Sequence, residues 1–140
     1  MSTMSWDRLT RTTLLLAIPF WVAACSESTK IGTVPAKGTV TFKGKPLDKG
    51  QIQLLPDNGP AAVGLIENGN FVLGTNADGD GAPPGKYRVT VASYKENKNR
   101  FGESVTKSVL PSRFSSPDTS GIVVEIPESG NESIKVELAD

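Results

Sequence analysis

Apolar and polar residues alternate with a period of two in seven short segments of this chain. In residues 86–91, for example, Tyr87, Val89 and Val91 alternate with polar neighbours. Alternation that is rich in β-branched and aromatic residues predicts half-buried β-strands. The apolar positions of the other six segments are Val40 and Phe42; Ile52 and Leu54; Val63 and Leu65; Phe71 and Leu73; Ile122, Val124 and Ile126; and Ile134, Val136 and Leu138.

Turn-forming residues separate these segments. Asn68 and Gly69 are a two-residue hairpin pattern, because both residues tolerate a positive φ, and residues 43–46 and 129–131 are also rich in turn formers. Short strands with one apolar face each must cover those faces, and two sheets packed face to face do so most simply. We therefore expect an all-β fold, an immunoglobulin-like β-sandwich of about seven antiparallel strands.

The first 25 residues have a different pattern. Arg8 and Arg11 precede an apolar run over residues 14–24. A basic start, a short apolar stretch and small residues at a cut site are typical of a secretory signal peptide. The run is shorter than the ~20 apolar residues of a membrane-spanning helix, and Pro19 would interrupt such a helix. We therefore predict a signal peptide over residues 1–24.

The end of this run is more specific. Val22, Ala23, Ala24 and Cys25 resemble the lipobox of bacterial lipoproteins. The resemblance implies that Cys25 receives a diacylglycerol, that the chain is cut between Ala24 and Cys25, and that the new N-terminus is acylated, for example with palmitate. The protein would then be exported across the cytoplasmic membrane and anchored by lipid in the bacterial cell envelope. In the sorting rule of some such lipoproteins, Ser26 favours the outer membrane over the inner one.

A simpler alternative stays open for this segment. An ordinary signal peptide cut near Ala24 would leave a free thiol on a secreted protein. In either case residues 25–37 are polar and lack a sustained period, which is typical of a flexible tether. The β-sandwich domain is expected over residues 38–140.

Several turn motifs follow one another in an order that resembles a known family. They are a Gly-Lys-Pro-Leu turn at residues 44–47, an Asn-Gly turn before Phe71, a Pro-Gly-x-Tyr sequence at residues 84–87, and the loop 110–121. Together they resemble carboxypeptidase regulatory-like domains, which are prealbumin-like (transthyretin-like) β-sandwiches. The resemblance implies a non-catalytic structural or interaction module and supplies no catalytic residues.

Composition narrows the function further. The chain has 15 basic and 15 acidic residues, no His and one Cys. A net charge of zero argues against nucleic acid as a partner, and the lack of His excludes His-based catalysis and His metal ligands. It also excludes the activity of transthyretin-like enzymes that hydrolyse 5-hydroxyisourate through His residues. We expect no cofactor and no enzymatic activity; a hydrolase without His is the least favoured alternative.

One sequence motif resembles part of a calcium loop. Asn76, Asp78 and Asp80 match the first oxygen ligands of an EF-hand, but Tyr87 occupies the twelfth position, where that motif needs Glu. The alternative interpretation is a polar turn between strands. Tyr87 itself is predicted to place its ring in the core and to bond its hydroxyl to nearby backbone.

Residues 93–113 form a connection that is long for a sandwich, and long loops are often functional. We predict that this loop contacts a partner, either an envelope protein or a polysaccharide, while the lipid anchor contacts the membrane. A small binding protein that holds calcium or a glycan through its loops is the alternative. The candidate contact residues are the aromatic and basic residues in and after the loop: Tyr94, Arg100, Phe101, Arg113 and Phe114.

Overall fold

A computed structural model describes residues 30–139 of the 140-residue chain. The predicted signal peptide, Ala24 and the predicted lipidation site Cys25 lie outside the described residues. The strands of the described part are β1 (Ala36–Phe42), β2 (Lys45–Pro46), β3 (Lys49–Pro56), β4 (Ala62–Glu67), β5 (Asn70–Val72), β6 (Gly85–Ala92), β7 (Tyr94–Lys98), β8 (Ser104–Ser108), β9 (Val123–Ile126) and β10 (Asn131–Leu138). A 3₁₀ turn (Ser112–Ser115) and the short helix α1 (Pro117–Ser120) lie between β8 and β9.

Eight of these strands form one sheet. Its strand order is β10-β1-β5-β4-β3-β6-β9, and β2 pairs with β1 beside this path. All pairs are antiparallel except β1 with β10, which run parallel. This one pair differs from the predicted antiparallel arrangement because the whole domain separates β10 from β1, so no tight hairpin fixes their relative direction.

The sheet curls around a single core. Val40 and Val136, near one end of the strand order, belong to the same buried cluster as Val89 and Ile126, near the other end. Inner faces from both ends therefore pack against each other, as the facing sheets of a sandwich do. The predicted all-β, sandwich-like fold is confirmed.

Strand β4 turns a different face inward from the one that its large apolar residues indicate. Leu65 is 71% exposed, whereas Ala62 and Ile66 are 0% and 1% exposed. The alternating inward position between them is Gly64, where an added Cβ would lie 2.8 Å from the Val72 carbonyl oxygen. Small residues fill the tight inner positions, so the prediction that placed Leu65 inward was out of phase by one residue.

The local turn chemistry agrees with the sequence. Asn68 and Gly69 have φ values of 51° and 80°, so the β4–β5 hairpin turn forms where it was predicted. Tyr87 is 2% exposed, and its hydroxyl donates a 2.5 Å hydrogen bond to the Pro83 carbonyl. Burial raises the pKa of this hydroxyl. The predicted structural role of Tyr87 is confirmed.

The domain also begins slightly earlier than expected. Strand β1 starts at Ala36, and Val34 exchanges two backbone hydrogen bonds with Ala82. The Pro35 carbonyl accepts a hydrogen bond from the Asn131 amide. The last residues of the predicted tether are therefore part of the folded domain.

Candidate functional site

The connection over residues 93–113 is built differently from the loop that the sequence predicted. It contains a two-stranded antiparallel sheet of its own, in which β7 pairs only with β8. All ten residues of these two strands are exposed. The segment is thus a β-hairpin that stands out from the domain, and we refer to residues 94–108 as the hairpin.

Ser93 fixes the base of the hairpin through two hydrogen bonds. The Ser93 hydroxyl donates a 2.5 Å hydrogen bond to the Lys49 carbonyl at the start of β3. The Val109 amide donates to the Ser93 carbonyl at 2.9 Å, closing the ladder where both strands leave the core. Ser93 is only 4% exposed. The direction of the hairpin is therefore set by buried contacts at its base.

Asn99 organises the tip of the hairpin. Its side-chain oxygen accepts hydrogen bonds from the amides of Phe101 at 2.9 Å and Glu103 at 3.0 Å. Its side-chain amide donates to the Glu103 carboxylate at 2.8 Å. Gly102 completes the turn with a φ of 80°, which favours glycine. The tip thus holds Arg100 and Phe101 on an ordered turn, and Phe101 is 79% exposed.

The two faces of the hairpin have different side chains. Lys95 pairs directly with Lys107, and Asn97 pairs with Val105 on the same face. Like charges opposite each other in an antiparallel pair are destabilising. The other face carries Tyr94, which is 60% exposed, with Glu96, Lys98 and the opposing Ser and Thr residues.

The hairpin has a positive charge within a chain that is neutral as a whole. It contains four basic residues and two acidic ones, a net charge of +2. One of the acidic residues, Glu103, is held by Asn99. Within residues 30–139, the ion pairs formed by charged side chains involve none of the hairpin's cations. These cations are therefore available to an anionic partner.

A groove of about 850 Å³ lies at the base of the hairpin. Its walls come from the β1–β2 turn region and from the first residues of β7, including Phe42, Leu47 and Tyr94. A wider depression of about 1030 Å³ covers the outer face of β4 and β5. Leu65 and Val72 form its apolar centre, and they are 71% and 52% exposed.

The segment predicted as a candidate calcium loop is a hydrogen-bonded turn. The Asp80 carboxylate accepts hydrogen bonds from the Thr75 amide at 2.7 Å and the Asn76 amide at 3.1 Å. The Thr75 bond is the main reason that the pKa of Asp80 is lowered. Asn76 in turn bonds both backbone groups of Ile31. These oxygen atoms thus hold the turn and the incoming chain together, and Asp78 is exposed beside them.

No group of three or more Asp, Glu, Cys or His side chains within residues 30–139 is arranged to hold a metal ion. The same described residues contain no helix that is long and apolar enough to span a membrane.

Two of the predicted contact residues have roles within the domain. Phe114 is 2% exposed and belongs to the core, so its prediction as a surface contact was wrong. It is buried because the 3₁₀ turn packs on β6 and directs its ring inward. Arg113 stacks over that ring at 4.5 Å and donates a hydrogen bond to the Ala139 carbonyl. Of the five predicted contacts, Tyr94, Arg100 and Phe101 are exposed on the hairpin, Tyr94 at its base and the other two at its tip.

The chain enters the domain at one end of the sheet, and the hairpin leaves it at the other. Strand β1 begins at the end where residues 75–82 and 127–131 turn, since Ile31 bonds Asn76 and Pro35 bonds Asn131. The register of β1, β5, β4, β3 and β6 places the end of β6 beside the start of β3, at the opposite end. The hairpin follows directly from that end of β6.

Comparisons with known proteins do not place this chain in a family. No protein-family model matches it, and no curated protein matches it. A crystal structure of a 9R-lipoxygenase from Cyanothece is similar over 80% of this chain and 17% of that chain, with 14% sequence identity and a TM-score of 0.34. The chain thus spans about a sixth of that protein, and a likeness this weak assigns neither a fold nor an activity.

Proposed function

We propose that this protein is a lipid-anchored lipoprotein of the bacterial cell envelope whose β-sandwich is a non-catalytic interaction module. The lipobox over residues 22–25 supports the anchor, and the lone Cys is the residue that such an anchor requires. The ordered turn motifs support membership of the carboxypeptidase regulatory-like group. The lack of His supports a role without catalysis.

The exposure of the hairpin carries this proposal. The residues of its strands are all exposed, and Asn99 joins both sides of its tip by hydrogen bonds. An isolated two-stranded hairpin is at best marginally stable in water, so this element adds little to the stability of the domain. A rigid scaffold that presents an ordered, exposed segment is the common arrangement for binding. We therefore assign the contact with an envelope partner to Tyr94, Arg100 and Phe101.

The anchor is tested by fractionating cells that express the Cys25→Ser variant. Loss of the thioether site should move the protein from the membrane fraction to the soluble exported fraction, and mass analysis of the wild type should show acyl chains. Tight membrane association of the variant, or an unmodified thiol in the wild type, would contradict the anchor.

The contact is tested by placing a photo-crosslinking amino acid at position 101 in living cells. We expect it to label an envelope component, which mass spectrometry identifies as protein, glycan or lipid. Position 123 is the matched control, because Val123 is also an exposed apolar residue, at 54%, but lies on the edge strand β9. Equal labelling from both positions would count against the hairpin as the contact element.

A further inference from the structure

The hairpin has an apolar side chain at its tip and cations on both faces. We propose that it docks on an anionic lipid bilayer that faces the membrane holding the anchor. Phe101 enters the interface between head groups and acyl chains, Lys98 and Arg100 beside it bind lipid phosphates, and Lys95 and Lys107 nearer the base add attraction to the anionic surface. This inference rests on the proposed function, since the lipid anchor at Cys25 gives the domain its orientation.

Phe101 projects from the tip, so a partner that buries its ring has to surround it. The Phe101 ring is 79% exposed at the end of a projecting turn, so the tip forms no pocket around it. Aromatic and aliphatic side chains beside Lys and Arg are typical of segments that insert into the membrane interface. A bilayer supplies an apolar layer below a charged one, which matches Phe101 beside Arg100 and Lys98. Asn99 holds the one carboxylate of the tip, Glu103, against the turn.

The distribution of charge favours a planar partner over a one-sided pocket. Lys95 and Lys107 lie on one face of the hairpin, Lys98 lies on the other, and Arg100 is at the tip between them. A pocket that bound one face would leave cations of the other face unused. Head groups around an inserted tip would meet Lys98 and Arg100, and the two lysines nearer the base would face the same anionic surface from farther away.

The Lys95–Lys107 pair adds to the attraction for an anionic surface. It lies near the base of the hairpin, three residues before the last strand pair, Lys98 and Ser104. Directly opposed residues in an antiparallel pair have Cβ atoms about 5 Å apart, so two ammonium groups there repel each other. Neither lysine forms an ion pair within the described residues, and a nearby anionic surface would weaken this repulsion.

The position of the hairpin explains why the facing membrane is the partner. Residues 31–35 are bonded to the end of the sheet formed by residues 75–82 and 127–131. The hairpin starts at the opposite end, after Ala92. With the chain anchored through Cys25, the tip therefore points away from the anchoring bilayer. The ordered tip lowers the conformational entropy lost on docking.

The experiment uses the full lipidated protein in a vesicle-capture assay. Donor vesicles of phosphatidylcholine carry the protein, and fluorescent acceptor vesicles contain either phosphatidylcholine alone or phosphatidylcholine with phosphatidylglycerol. We expect the donors to capture the acceptors that contain phosphatidylglycerol and not the neutral ones. Capture should fall as salt is raised, because screening weakens the attraction between cations and head groups.

Two variants test the residues. Each cation near an anionic surface adds roughly fivefold to binding, so Lys98→Gln with Arg100→Gln should lower capture by an order of magnitude or more. Phe101→Ser should lower it by about tenfold, because the ring no longer leaves water. The matched controls are Lys86→Gln with Lys135→Gln, which remove two exposed lysines from the main sheet, and Leu65→Ser, which removes an exposed apolar residue there. These controls should capture normally.

Three outcomes would overturn the inference. They are equal capture of neutral and anionic acceptors, normal capture by the hairpin variants, and a photo-crosslink from position 101 to an envelope protein instead of lipid. Flotation of the protein with the donor vesicles separates this test from the proposed function. A protein that floats with donors but captures nothing rejects the facing membrane alone, whereas a protein that does not float rejects the anchor.

Discussion

At the scale of single residues, Tyr87 links the main sheet to the loop that precedes it. Its hydroxyl bonds the Pro83 carbonyl, and its ring is buried. Tyr87→Phe keeps the ring and removes the bond, so unfolding in urea should show a loss of about 1 kcal/mol. Tyr94→Phe is the control, because Tyr94 is 60% exposed and its variant should unfold like the wild type. Equal stabilities of the two variants would contradict this role.

The buried hydroxyl of Tyr87 should also make the stability of the domain depend on pH in the alkaline range. Burial raises the pKa of Tyr87 above its ordinary value of 10.0, so the folded state holds the proton more tightly than the unfolded chain. The resulting stability is fully present below pH 10 and is lost as the pH rises through the higher pKa of the folded state. The Tyr87→Phe variant should lack this component of the alkaline decline.

Asp80 should make the stability of the domain fall in acid. Hydrogen bonds from the Thr75 amide and from Asn76 lower the pKa of its carboxyl below 3.8. The stability that these bonds give is therefore present above pH 3.8 and is lost as the pH falls through the lower pKa of the folded state. Asp80→Asn should unfold at a lower temperature than the wild type at pH 7, and the difference should shrink at acid pH.

The neighbouring carboxylate provides the control for this change. Asp78 is exposed in the same turn. Asp78→Asn should therefore melt at the wild-type temperature at both pH values. If millimolar calcium instead raised the melting temperature of the wild type and of neither variant, that result would support the calcium interpretation of the turn.

At the scale of elements, strand β4 carries two neighbouring large apolar residues, of which one is buried and the other is exposed. Ile66 lies in the core and Leu65 lies on the outer face. Ile66→Ala should destabilise the domain by about 2–5 kcal/mol, while Leu65→Ala should change it by less than about 0.5 kcal/mol, as other surface substitutions do. Denaturation curves of the two variants measure this difference. A larger loss of stability for Leu65→Ala than for Ile66→Ala would instead support the sequence prediction that Leu65 faces the core.

Strands that bury one face were predictable from the sequence, and strands that bury nothing were not. In β6 and β10 the apolar positions alternate because one face packs on the core, and the structure buries them. Strands β7 and β8 are exposed on both faces, so burial imposes no alternation on their sequence. The hairpin was therefore mistaken for a long loop, and its predicted contact with a partner stays a prediction.

Sequence also could not distinguish the two aromatic residues that follow an arginine. Phe101 follows Arg100 and is exposed, whereas Phe114 follows Arg113 and is buried. The difference arises from tertiary packing, because the 3₁₀ turn docks on β6 while the hairpin tip docks on nothing within the described residues. The role of Asn99 in ordering the tip was missed for a related reason: an Asn in a polar segment has no distinguishing pattern until its hydrogen-bond partners are known.

At the scale of the whole molecule, the parallel pairing of β1 and β10 determines where the chain termini lie. Both strands begin at the end of the sheet where the N-terminal residues arrive, and both end near the opposite one. No local pattern specifies such a pairing, since it joins the first and last strands of the domain. The N-terminal residues therefore enter at the end of the sheet opposite the one from which the hairpin leaves.

This separation can be measured on the anchored protein. At about 3.3 Å per residue, the five residues of β7 carry the tip about 17 Å beyond the base of the hairpin. Cys25 is the one Cys of the chain, and the proposed acylation would occupy its thiol. In the lipidated protein, Ala77→Cys and Phe101→Cys can then each be labelled with one fluorophore in vesicles that contain a lipid-attached quencher. We expect strong quenching at position 77, beside the entering chain, and weak quenching at position 101. Equal quenching would mean that the domain lies flat on its own membrane, and the hairpin would then face the wrong way to reach a second bilayer.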